Sequence, residues 1–399
     1  MSTAKSPARP PLRVMRYARR VVFGAGVFYL GAVFLCLTPV IQTLVLYATH
    51  LHVSEYSKFE HPEHYGLAPG KTVNMALNSS DGTRLGAWFM FSDQFYRNLP
   101  HPHLHTHLQS GQSTPPTTHE SIQLASKEHI SEALRNSPTV LFLHGNSATR
   151  AHHLRTVVYS AFTARLGVNV FAIDYRGFGD SSGKPSVEGV GMDARAGFDY
   201  LIENGANPAN IVIVGHSLGT AITGLLAAEL GRANIRVRGV VLMSPFSSVR
   251  SLMDQYHLFG FLPLLKPLSK IPFFPRVVTW SVKHNFDTLS LVPDIKSPVL
   301  IAHAEDDFDI PHSHSSVLFD AFIESHFQNE TIGGYKTIPA RSDIVSSTHI
   351  SGYGTLEQVD LGSRRVALLK TERGGHHIGQ VEGVQDTIGR LFDLYSMCR

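Results

Sequence analysis

No part of this chain constrains its fold more than the stretch from Ile211 to Leu230. An apolar run, Ile211-Val212-Ile213-Val214, meets the pentapeptide Gly215-His216-Ser217-Leu218-Gly219, and a small-residue helical stretch from Thr220 to Leu230 follows. A strand that becomes a helix over so few residues needs a very sharp turn. Gly215 and Gly219, two residues either side of Ser217, lack the β-carbons that would collide as strand and helix approach. The turn lifts the Ser217 hydroxyl above the carboxyl edge of a sheet. It also sets the Leu218 N–H at a helix N-terminus, where negative charge is favoured. Gly-x-Ser-x-Gly in this setting is the pattern of a nucleophilic serine. A glycine-flanked packing turn has the same composition, so the rest of the chain must separate the two.

The surrounding rhythm points to an α/β fold. Short apolar strands are predicted at Thr139–Leu143, Val168–Asp174, Ile211–Gly215, Gly239–Met243, Pro298–His303 and Arg365–Lys370. Helical stretches separate most of them, and Val190, Ala194, Phe198 and Leu201 mark an amphipathic face at helical spacing. Alternating βα units with nearly all-apolar strands imply a parallel sheet covered on both faces. Upstream, Val73–Asn78 and Arg84–Phe91 flank Ser79-Ser80-Asp81-Gly82, a hairpin signal. Residues 247–297 interrupt the alternation with Phe259, Phe261, Leu262, Leu264, Leu265, Phe273 and Phe274 among prolines, and with Lys266, Lys270 and Arg276. They are too apolar for a solvated loop and read as a cap.

Acyl transfer needs a nucleophile, a base, an acid that orients the base, and donors for the oxyanion. In this architecture the chain order is Ser, Asp, His. Downstream of Ser217 one strand ends in His303-Ala304-Glu305-Asp306-Asp307-Phe308-Asp309-Ile310-Pro311, and the last strand leads to Arg373-Gly374-Gly375-His376-His377. Asp307 has the expected spacing from His303 and from Ile310-Pro311, so it takes the acid role over Asp306 and Asp309. His376 directly follows the glycine pair and takes the base role over His377. His216, inside the pentapeptide, packs or bonds locally. A second oxyanion donor is expected after the first central strand, where Gly145 permits a tight turn in His144-Gly145-Asn146-Ser147 and the Asn146 N–H joins that of Leu218. The arginine and glycines of Asp174-Tyr175-Arg176-Gly177-Phe178-Gly179-Asp180-Ser181 are expected to lock a loop to the sheet.

Val21 to Tyr47 contains no charged residue and exceeds the ~20 residues that cross a bilayer. Lys5, Arg9, Arg13, Arg16, Arg19 and Arg20 precede it, and the next cation is Lys58. By the positive-inside rule the first 20 residues stay cytosolic and the remainder is translocated. The competing readings are a cleaved signal peptide and a buried core helix. The expected organisation is therefore a basic tail (1–20), a transmembrane helix (21–47), a linker (48–72) and a catalytic domain (73–399). Residues 97–137 read as a polar insertion in which His101, His103, His105 and His107 alternate. That run would suit a metal if it formed a strand, but incidental histidines on a polar surface are the expectation. No metal or cofactor is required by the chemistry. The net charge of +3 is small and the basic residues of the body are unclustered, so nothing points to nucleic acid. The two cysteines, Cys36 and Cys398, form no disulfide framework.

The stretches LFLHGNS, DYRGFGDSSGKPS, GHSLGT, SPFSS and HAEDD resemble the membrane-anchored subfamily 12 of the α/β-hydrolase-domain proteins. The resemblance implies a lipase of monoacylglycerols and lysophospholipids, notably lysophosphatidylserine, with a single N-terminal span and a lumenal domain in the endoplasmic reticulum. Two departures bear on head-group choice: the 97–137 insertion and the long stretch between Asp307 and His376. The expected activity is hydrolysis of a single-chain lipid ester at a bilayer through an acyl-enzyme on Ser217. A lumenal thioesterase or depalmitoylase would use the same triad, and an inactive binding module would keep the fold alone. If the body is lumenal, Asn78-Ser79-Ser80 and Asn329-Glu330-Thr331 are glycosylation candidates.

Overall fold

The computed structural model describes residues 12–49, 57–99, 128–255, 257–258, 262–263, 272–329 and 340–395. Its chain divides into two units: Met1–Val45 with Met253–Lys283, and Leu46–Leu252 with His284–Arg399.

The larger unit is built on a 10-stranded sheet. Its strands are β1 (Thr72–Asn78), β2 (Arg84–Met90), β3 (Thr139–Leu143), β4 (Asn169–Ile173), β5 (Ile211–His216), β6 (Gly239–Met243), β7 (Val299–Ala304), β8 (Ser346–Ile350), β9 (Gly354–Asp360) and β10 (Arg365–Thr371). Their order across the sheet is β1-β2-β4-β3-β5-β6-β7-β10-β9-β8. The inner strands β4, β3, β5, β6, β7 and β10 pair in parallel. Antiparallel hairpins flank them, β1–β2 at one edge and β9–β8 at the other. Every residue of β3, β4, β5, β6 and β7 is buried, as an apolar strand with helices on both faces requires. Each predicted strand is present, with ends shifted by a residue at most.

The chain passes from β3 outward to β4 and then returns to the other side of β3 to form β5. The strand order therefore reverses between β3 and β5, which is where open α/β sheets leave a crevice at their carboxyl ends. Leu143 is in register with Gly215, so the segments that follow the two strands emerge side by side.

Four expectations change in detail. First, the apolar run 21–47 is not one helix. Helix α1 spans Leu12–Cys36 and α2 spans Pro39–Tyr47, with Leu37 and Thr38 between them. Proline lacks the N–H that a continuous helix needs and disfavours the helical conformation in the residue before it. Second, the described part of the expected linker is packed. Phe59 and Leu67 are buried in the core, and the Phe59 carbonyl accepts the Trp88 indole N–H at 3.0 Å. Third, the end of the 97–137 insertion is a helix at Ile130–Asn136 that buries Ile130, Ala133 and Leu134. The His101–His107 run lies outside the described residues. Fourth, the long stretch between Asp307 and His376 supplies the β8–β9 hairpin. All residues of β8 are exposed, so this edge strand carries no hydrophobic alternation that its sequence could reveal.

Within this unit the two stems of the 247–297 insertion are clamped together. Ser248 and Asp287 form a β-bridge, and the Val249 N–H donates to the Phe286 carbonyl at 2.9 Å. In the smaller unit, α6 (Phe274–Ser281) packs on α1 through Val278 and Val33, with Tyr29, Cys36, Leu37, Met253 and Phe274 around them. Among the described residues one helical stretch, Met15–Cys36, is long and apolar enough to cross a membrane.

Candidate active site

Ser217 stands at the end of β5 and caps α5 (Leu218–Arg232) with φ 53° and ψ −120°. This is strained backbone for a residue with a side chain, at a cost of about 1–3 kcal/mol. Bonds on both sides enforce it. The Ser217 N–H donates to the Met243 carbonyl at 2.9 Å, and the Thr220 N–H and Oγ1 both donate to the Ser217 carbonyl. A β-carbon on Gly215 would strike the Gly219 carbonyl, and one on Gly219 would strike the Leu143 carbonyl. The glycines flank this serine because helix and strand backbones touch there.

Asp307 follows β7 and His376 follows β10, brought together because Ala304 and Thr371 are in register. His376 is delivered by Gly374 and Gly375, both at positive φ. Its Nδ1–H donates to Asp307 Oδ2 at 2.8 Å, which leaves Nε2 as the ring's lone-pair nitrogen. The backbone N–H groups of Asp309 and Ile310 donate to Asp307 Oδ1 at 2.9 and 3.0 Å. His303 Nε2 lies 3.2 Å from Oδ2, and its Nδ1 meets the Ser315 hydroxyl at 2.6 Å. Burial works against ionisation of Asp307, but the bonds from His303 and His376 outweigh it and hold the carboxyl well below the usual range. The competing residues have other partners. Asp306 accepts the Gly375 N–H at 2.8 Å, and His377 has its ring centroid 5.2 Å from that of His216.

His216 donates from Nε2 to the His376 carbonyl at 2.7 Å, and the Ser244 hydroxyl donates to the same carbonyl at 3.0 Å. These two bonds tie the His376 backbone to the ends of β5 and β6, beside Ser217. Among the described residues the His376 ring hydrogen-bonds Asp307 and not Ser217. Such a contact commonly tightens only with substrate bound. Asp307, Asp309 and His376 bring ligand-type atoms within 4.8 Å of one another. Four donors already occupy the Asp307 carboxylate, so an ion would have to displace them.

Asn146 is exposed on the loop after β3, and the preceding Gly145 is buried against the elbow. A β-carbon on Gly145 would lie 3.1 Å from the Ser217 Cβ, so the two turns are in close contact. Sequence reasoning passed over the residue that braces this loop. Arg155, on α3 (His153–Ala161), is buried, and its guanidinium donates to four loop carbonyls. They are Gly145 at 3.2 Å, Asn146 at 3.1 Å, Ser147 at 2.8 Å and Thr149 at 2.7 Å. Among the described residues it forms no ion pair. With burial, its charge disfavours protonation of the neighbouring histidines: His144 is pushed down, and His152 is pushed down to about 4. A lone arginine in a helix has no spacing that would announce this role.

The Asp174–Ser181 segment locks loop to sheet, as expected. Arg176 pairs with Asp193 at 2.8 Å and Asp81 at 2.7 Å. Fully buried Arg150 pairs with Asp174 at 2.5 Å and Asp180 at 2.7 Å, and stacks over Phe59 at 4.1 Å.

A parallel sheet with a strained serine at the switch point and an Asp–His pair at later strand ends defines an α/β hydrolase. The family model described as "Alpha/beta hydrolase family" matches residues 140–332. The chain is 30% identical over 329 residues to the lysophosphatidylserine lipase ABHD12 of Rattus norvegicus, covering 82% of this chain and 74% of that protein. It is 27% identical over 335 residues to the Danio rerio protein of the same name, covering 82% and 78%. A crystal structure of an alpha-beta hydrolase from Vibrio vulnificus superposes with a TM-score of 0.55 at 16% identity, covering 90% of this chain and 94% of that one. The chain belongs to the ABHD12 family of α/β hydrolases.

Proposed function

We propose that this protein is a membrane-anchored serine hydrolase that cleaves the acyl ester of monoacylglycerols or lysophospholipids, with lysophosphatidylserine the first head group to test. One observation carries the reading: the 2.8 Å His376–Asp307 bond lies at the sheet edge that also presents strained Ser217. In this mechanism Ser217 Oγ attacks the ester carbonyl and His376 Nε2 takes its proton. Asp307 fixes the Nδ1–H tautomer and stabilises the imidazolium. The Leu218 and Asn146 N–H groups hold the oxyanion, His376 returns the proton to the leaving alcohol, and water then hydrolyses the acyl-enzyme. The names of the 27–30% identical relatives support a lysophospholipid substrate.

The Met15–Cys36 helix supports the anchor, because such substrates reside in bilayers. By the positive-inside rule the cations of the first 20 residues favour a cytosolic tail and a lumenal catalytic domain, with the endoplasmic reticulum the proposed membrane. Asn78, exposed at the end of β1, is then a glycosylation site. The cap reading of 247–297 belongs to the same proposal. The test is turnover of a lysophospholipid, monoacylglycerol and acyl-thioester panel by purified wild type and Ser217→Ala. Loss of ester turnover in the variant is expected. Equal rates would refute the assignment, and preference for thioesters would move it to a depalmitoylase.

A further inference from the structure

We propose that one face of α6 is a membrane-interface surface whose partner is the acyl and head-group boundary of a lipid bilayer. The proposal rests on the span reading above and adds a second, non-contiguous membrane contact to it. The N-cap residue Phe273, Val277 and Trp280 recur at helical spacing along α6 and are 69%, 50% and 95% exposed. The face that meets α1 lies roughly 100° round the helix. It carries Phe274 and Val278, which close against Val33, Tyr29 and Cys36. One face of α6 is thus satisfied by packing and the neighbouring one is apolar and open. A tryptophan as exposed as Trp280 beside a packed face is a cost in water and a gain at a lipid interface.

The depth of this face follows from what α6 touches within its own unit. Arg19 and Arg20 mark the near boundary, and the uncharged part of α1, Val21–Cys36, is ~24 Å long, so the break at Leu37-Thr38 lies close to the far boundary of the ~30 Å hydrocarbon core. Beyond that break, the Gln42 side chain donates to the Ser281 carbonyl at 2.9 Å and accepts the Lys283 N–H at 2.8 Å. The carboxyl end of α6 is thus tied to a polar group outside the span. One turn back, Val278 packs on Val33, inside it. The helix descends from the wet end toward the apolar one. Trp280 then lies at the head-group level, where indoles concentrate, and Val277 and Phe273 lie deeper. The surface of α1 around this contact is apolar and open as well: Phe28, Leu30, Phe34 and Leu35 are all more than half exposed.

The composition supplies a clean assay. The chain has two tryptophans, and the other, Trp88, is fully buried in the larger unit. The full-length protein is reconstituted in phosphatidylcholine vesicles with and without dibrominated phosphatidylcholine, and its fluorescence is compared with that of Trp280→Phe. The expected result is strong quenching of the Trp280 component by brominated lipid, while the Trp88 emission that remains in the variant is spared. Quenching of Trp280 by aqueous acrylamide and not by brominated lipid overturns the proposal. So does protection from both quenchers, which would mean that a protein surface such as a second copy covers the face. The span is read separately by carbonate extraction of the same vesicles. Extraction of the protein refutes the anchor, while the quenching still decides the fate of the α6 face.

Discussion

Arg155→Met removes the clamp on the loop that carries Asn146, and the size of its effect can be worked from the bonds lost. Four carbonyls, those of Gly145, Asn146, Ser147 and Thr149, converge on one guanidinium. Hydrogen bonds to a charged group contribute about 1.5–3 kcal/mol each in isolation. The four share one buried cation whose desolvation opposes them, so the net loss of stability is expected at about 2–4 kcal/mol, the range of a broken buried polar network. The catalytic effect is separate. Each carbonyl held by Arg155 fixes the orientation of the peptide that follows it, so the Gly145 carbonyl sets the direction of the Asn146 N–H. With that N–H as the second oxyanion donor of the proposed mechanism, its loss removes about 2.7–4 kcal/mol of transition-state stabilisation, or 10²–10³ in kcat. The assay is kcat and KM on a water-soluble short-chain ester, read together with the thermal midpoint and with Arg155→Lys, which keeps the charge and loses the fork. The expected pattern is a large fall in kcat, a small change in KM and partial recovery by lysine. A folded Arg155→Met protein with kcat within about twofold of wild type would refute the bracing role.

Two further predictions follow from the site. Asp307 has its folded pKa held below the unfolded value of about 3.9, so its bonds contribute stability that is present above that pH and is lost as pH falls toward the folded value. Asp307→Asn should therefore lower the thermal midpoint at pH 6–7, with the gap to wild type closing below about pH 4; a gap independent of pH would contradict the ionised pairing. Gly219→Ala places a methyl against the Leu143 and His144 carbonyls at a helix–strand contact with no room to part. A loss of about 2–3 kcal/mol is expected by denaturant titration, within the range for overpacking, and tolerance of the alanine would mean that the elbow is looser than described.

Much of the fold was legible because its signals are local. Buried parallel strands have to be apolar along their whole length, and β3, β4, β5, β6 and β7 are. The β8–β9 hairpin was illegible for the opposite reason: its edge strand is held by backbone bonds that leave no mark on side-chain choice. The break at Leu37-Thr38 was written in Pro39, yet the uncharged run around it read as continuous.

The sequence by itself determined the strand–turn–helix around Ser217, the chain order of serine, aspartate and histidine, and the apolar N-terminal run. Each depends on residues close in sequence or on order along the chain. Spacing also preferred Asp307 and His376 over their neighbours, and only the tertiary structure supplied the contacts that separate them: the His376 Nδ1–H donates to Asp307, while Asp306 accepts the Gly375 N–H. Adjacent residues in a loop point in different directions, and spacing along the chain does not give their partners. Tertiary structure also revealed Arg155, because four carbonyls become a site only when the chain folds them around one charge.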